Sequence, residues 1–105
     1  MEYNCCTNGK LPDMGKFDSL EVNAVYPHEN ETGETHCEPL FGVASKKVEP
    51  KDLLSDEDPT KLFFTVYGRN ADGEAEALHD EPTLEEIMAV ANDLSKRFSL
   101  EAIVI

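Results

Sequence analysis

The stretch PTLEEIMAVANDLSKRFSL, residues 82–100, constrains the fold of this chain more than any other. Leu84, Ile87, Val90, Ala91, Leu94 and Phe98 recur at three- and four-residue spacing, which gathers them on one side of an α-helix. Thr83 with Glu86 three residues on has the form of a capping box and sets the start. Glu85 and Glu86 open the segment while Lys96 and Arg97 close it, matching the helix dipole. A helix with one apolar side needs a second layer to cover that side, and the rest of the chain offers strands.

The ending EAIVI predicts an apolar strand. On an open edge Ile103, Val104 and Ile105 would template aggregation. They are therefore expected inside the sheet or at a homodimer contact through Ile103–Ile105. Strand, helix and strand over residues 74–105 predict a crossover that sets EAIVI parallel to EAEALHD.

Two hairpins precede the helix. KLFFTVYGR has the aromatic and β-branched composition of a strand, and NADG is a turn with Gly73 in the left-handed position. EAEALHD returns, with Ala75, Ala77 and His79 expected on one face and Glu74, Glu76 and Leu78 on the other. Upstream, FDSLEVNAVYP puts Leu20, Val22, Ala24 and Tyr26 on alternate positions, a half-buried strand expected to end at Pro27. HENETG is a polar loop pivoting on Gly33. ETHCEPLFGV is the return strand, with Thr35, Cys37, Pro39 and Phe41 on one face and Pro39 requiring an edge position.

The fold class expected is α+β: a mostly antiparallel sheet of four to five strands, two hairpins plus the C-terminal strand, with one amphipathic helix on one face. Residues 1–16 are expected to be an irregular N-terminal arm anchored by Leu11 and Met14, and residues 17–105 one domain. A charged loop falls at about 44–61, where PKDLL could form one helical turn.

Charge bounds the function. Twenty-two Asp and Glu against nine Lys and Arg give a net charge of −13. Such a field repels bare nucleic acid and anionic membrane, because binding phosphate requires cationic side chains. Neither is an expected direct partner. No apolar run reaches the length of a membrane-spanning helix, and the first residues lack the pattern of a secretory signal, so a cytoplasmic location is expected, with reduced thiols. There the sequon Asn30-Glu31-Thr32 has no meaning as a sugar acceptor.

Cys5, Cys6, His36 and Cys37 make a small metal- or thiol-binding protein one alternative. Their spacing argues against it: structural zinc ligands come in pairs two to four residues apart, whereas these are adjacent. Strand alternation would also send His36 and Cys37 to opposite faces. The cysteines sit among acids, which hold a thiol protonated and unreactive. No phosphate-binding glycine motif and no nucleophile elbow occurs, so catalysis is not expected, nor is a cofactor. A deep cavity near His79 or Tyr67 would be the sign of a ligand-binding or enzymatic site.

The distribution of acids says more. Residues 71–95 hold eight acids and no Lys or Arg. In a compact fold Asp72, Glu74, Glu76, Asp80, Glu81, Glu85 and Glu86 would form one negative patch. That patch suits a protein with a basic surface, in an accessory or inhibitor role. Mimicry of nucleic acid, inhibiting a basic DNA- or RNA-binding protein, is a second alternative.

Overall fold

Period-two alternation near the start of the chain produces the strand on which the whole sheet is built. The computed structural model describes residues 14–29, 31–49, 52 and 61–105. A short 3₁₀ turn, Met14–Lys16, leads into β1, Phe17–Glu29. A five-residue loop containing Gly33, at φ 84°, returns the chain as β2, Thr35–Leu40. β3, Phe63–Asn70, and β4, Ala75–Glu81, form the second hairpin around Gly73, at φ 85°. The helix α1, Leu84–Phe98, and β5, Glu101–Val104, complete the order. The charged segment beyond residue 49 and the arm before Met14, including Leu11 and the PKDLL turn, lie outside the described residues except for Asp52.

The sheet runs β2-β1-β3-β4 with antiparallel neighbours, and β5 pairs parallel with β1. This is the α+β architecture expected, with one helix on an open sheet. β2 and β5 occupy the same side of β1, end to end. β5 covers Ser19 to Val22, β2 covers Ala24 to Glu29, and Ile105 N–H donates to Val22 O at 2.9 Å. β5 thus runs in the same direction as β4 but is separated from it by β1 and β3. The expected proximity of EAIVI to EAEALHD is corrected accordingly. β1 offered a whole free side over its first half, whereas β4 lies at the opposite edge of the sheet.

Pro27 does not end β1, which continues to Glu29 with Pro27 opposite Cys37. Beyond Val25 no β3 residue pairs with β1, so a missing N–H on that side removes no ladder bond. β2 lies at the sheet edge, as Pro39 requires.

Leu20, Val22, Ala24 and Tyr26 of β1, Val66 of β3 and Leu78 of β4 face Ile87, Val90, Ala91 and Leu94 of α1. Leu20, Leu78, Ile87 and Leu94 are fully enclosed, each contributing about 1.5–3 kcal/mol relative to exposure. Thr83 Oγ1 accepts from Glu86 N–H at 3.2 Å and donates to the Glu86 carboxylate at 3.0 Å. The other end closes on Ser99, in the left-handed region at φ 55°, whose N–H bonds to Ser95 O.

One irregularity alters the expected facing of β4. Tyr67 pairs with Ala77 and Val66 with His79, so Leu78 is an extra residue in a bulge. Leu78 faces the core, away from Ala75 and Ala77 as expected, and the bulge moves His79 off their face to stand opposite core-facing Val66.

Candidate functional site

The acidic residues follow the outer edge of the sheet. Asp72 and Glu74 are exposed at the β3–β4 turn, which Asn70 Oδ1 organises by accepting from both backbone N–H groups at 3.0 Å. Glu76, Asp80 and Glu81 lie on β4, and Glu85 and Glu86 are exposed at the start of α1. With a rise of roughly 3.3 Å per residue, β4 separates the turn from the helix start by about 20–25 Å. The acids therefore make a belt along one edge rather than a compact cluster.

Several of them have local partners. Glu76 is 2.8 Å from Lys16 Nζ, and Glu81 is 2.8 Å from His79 Nε2. Asp80 accepts from the Thr65 hydroxyl on the sheet face turned away from α1. Glu86 is engaged with Thr83. Asp72, Glu74 and Glu85 are the most outward of the set, all exposed.

Cys5 and Cys6, and Asn30 of the sequon, lie outside the described residues. His36 stands opposite His28 and Cys37 opposite Pro27, so strand alternation sends His36 and Cys37 to different faces. Cys37 is an exposed thiol in no disulfide. His28 Nε2 lies 2.7 Å from Glu38 Oε2, and its ring is tilted on Tyr26 with centroids 4.9 Å apart. Among the described residues no group of three His, Cys, Asp or Glu side chains is placed to hold a metal ion. No described helix is long and apolar enough to cross a membrane. Ile103 is 40 % exposed on β5, opposite Glu21.

A second feature lies on the sheet face away from α1. Glu21, Asn23, Pro39, Phe41, Tyr67 and Arg69 line a cavity of about 160 Å³, with Ala75 at its β4 side. A neighbouring cavity of about 130 Å³ shares Tyr67 and continues to Val25, Cys37 and Thr65. Arg69 donates to both Glu21 oxygens, from Nε at 2.6 Å and from Nη2 at 2.9 Å, and from Nη1 to Gly73 O at 2.6 Å. The hydrogen bond to Glu21, and then the Glu21 charge, raise the Arg69 pKa above its ordinary value. Arg69 stays protonated at any working pH.

Asn23 is 5 % exposed, and its Oδ1 has no hydrogen-bond partner. It sits on β1 where β2 gives way to β5, between Ala24, paired with Leu40, and Val22, paired with Val104. Phe41, just past β2, is 63 % exposed. Sequence reasoning pointed to Tyr67 as a place to look for a cavity but not to its partners. Alternation marked Asn23 only as the polar side of a strand, with no sign that its carbonyl would be enclosed.

The chain matches no family model, no curated protein and no solved structure.

Proposed function

We propose that the chain is a non-enzymatic binding domain that engages another protein of basic character through the acidic edge formed by β4, its turn and the start of α1. The observation that carries this reading is the continuity of the belt: Asp72, Glu74, Glu76, Asp80, Glu81, Glu85 and Glu86 follow one edge of the sheet, in a segment without Lys or Arg. An edge strand presents unpaired backbone groups, and an acidic one selects against neutral or acidic partners while steering basic ones. Attraction of this kind acts over roughly 10 Å at 0.1 M salt and fades at higher ionic strength.

The test is capture from lysate at low salt, followed by a salt series, with the wild-type chain and a D72N/E74Q/E85Q variant. These three side chains are exposed, so folding should be unaffected. The expected result is a basic protein retained by the wild type, released as salt rises, and held markedly less by the variant. Retention of the same proteins by both forms at every salt concentration would overturn the reading. Recovery of a DNA- or RNA-binding protein, displaced by nucleic acid, would mark mimicry as the mode of action.

A further inference from the structure

We propose that His28, His36 and Glu38 form a binding site for a zinc ion at the far end of the β1–β2 hairpin, on the opposite edge of the sheet from the acidic belt.

Strand register brings the three residues together. His28 of β1 stands directly opposite His36 of β2, and Glu38, opposite Tyr26, is the next residue of β2 on that same face. Directly opposed residues of an antiparallel pair have Cβ atoms about 4.5–5.5 Å apart, and a diagonal neighbour lies about 7–8 Å away. Side chains as long as His and Glu reach a common point from such positions. Two of them already meet: His28 Nε2 is 2.7 Å from Glu38 Oε2. Cys37 points to the other face and takes no part.

The remaining adjustments are small and fall on exposed side chains. Zinc binds imidazole nitrogen at about 2.0–2.1 Å and carboxylate oxygen at about 2.0–2.2 Å, at tetrahedral angles. Two such ligand atoms are about 3.4 Å apart, so Glu38 has to withdraw by roughly 0.7 Å to admit the ion. Its side chain is 60 % exposed and can swing outward. His28 Nε2 is covered from solvent with this carboxylate upon it, so the ion reaches the nitrogen as the carboxylate moves. The His28 ring itself is held, tilted on the ring of buried Tyr26 with centroids 4.9 Å apart. A ligand fixed by its surroundings loses little freedom on binding. As the side chains stand, the three do not yet converge on one point. His36 is exposed and supplies the third ligand by rotation about its side-chain bonds, a motion of picoseconds to nanoseconds. Water completes the coordination, as in zinc sites with three protein ligands.

The donor set selects the ion. Calcium and magnesium prefer oxygen ligands alone, whereas two imidazoles with one carboxylate suit zinc and its late first-row neighbours. Charge favours a cation here as well. Residues 17–45 hold six acids and no Lys or Arg, and Glu31 and Glu34 are exposed in the adjoining loop.

The full chain, its thiols capped with iodoacetamide so that cysteine cannot take the ion, is titrated with zinc chloride and separately with magnesium chloride. Calorimetry gives affinity and stoichiometry, and the ring C–H signals of the histidines give the place. The expected results are one zinc per chain, shifts of the His28 and His36 ring signals with those of His79 unmoved, and no response to magnesium. His36→Thr and Glu38→Gln, both at exposed positions, should each weaken zinc binding at least about tenfold, the lower end of what even an outer-shell partner contributes. The two variants remove separate ligands, so a folding defect in one, visible in its amide spectrum, leaves the other to decide. Unshifted His28 and His36 rings in excess zinc, a response to magnesium equal to that to zinc, or wild-type affinity in a folded variant would overturn the proposal.

Discussion

Gly68 offers the sharpest test of the packing. A Cβ built on it would lie 2.6 Å from Phe17 Cδ2 and 2.7 Å from both Cε2 and Cγ. Carbon atoms in contact prefer about 3.5–4.0 Å, so the ring would have to retreat by roughly 1 Å. Phe17 is only 4 % exposed and belongs to the core cluster, which leaves it little room. Overpacking of this kind costs about 1–3 kcal/mol. Against it stands a gain of about 0.4–1 kcal/mol from restricting the unfolded chain, available because Gly68 is not in the left-handed region. The clash should win, and Gly68→Ala is expected to lower stability by about 0.5–2.5 kcal/mol. In thermal denaturation that is a fall of several degrees for a domain of this size. The same substitution in a Phe17→Ala background should be close to neutral, because Cγ, Cδ2 and Cε2, the atoms that meet the new methyl, are all gone. Urea melts of the four proteins measure the coupling. A stabilised Gly68→Ala, or the same change in both backgrounds, would refute the argument that the ring occupies the space over this glycine.

Two further substitutions address the helix. Thr83→Ala removes the N-cap oxygen that accepts from Glu86 N–H, and should cost about 0.5–2 kcal/mol in a urea melt, with Thr83→Ser recovering most of it. Ser99 holds a left-handed conformation that costs a residue with a Cβ about 1–2 kcal/mol, so Ser99→Gly should leave the chain equally stable or raise it by up to about 1 kcal/mol, read from the thermal midpoint.

The helix was legible in the sequence because all its determinants lie within a few residues of each other. The stripe from Leu84 to Phe98, the capping box and the terminal charges act locally, and each appears at its expected place. The β3–β4 turn was legible for the same reason, with Gly73 supplying the positive φ. What alternation missed was set at longer range. The bulge in β4 takes His79 off the face of Ala75 and Ala77 and brings Asp80 to Thr65, a shift that no pattern within seven residues expresses. Pro27 suggested a strand end because the reach of β3 along β1 cannot be read from β1 itself. The cavity brings together Asn23 of β1, Pro39 of β2 and Tyr67 of β3, residues from three distant parts of the chain.

The sharing of one side of β1 between β2 and β5 bears on how the molecule comes into being. Ser19 finds Glu101 across 82 positions of sequence, whereas Glu29 finds Thr35 across only six. Pairing over long separations carries a closure cost that is met before its contacts repay it, and it slows folding. A chain emerging from the ribosome can form the β1–β2 hairpin early, yet must hold the first half of β1 incomplete until almost every other element exists. During that interval the backbone of Ser19 to Val22 is a natural place for a chaperone, or for a neighbouring nascent chain, to engage.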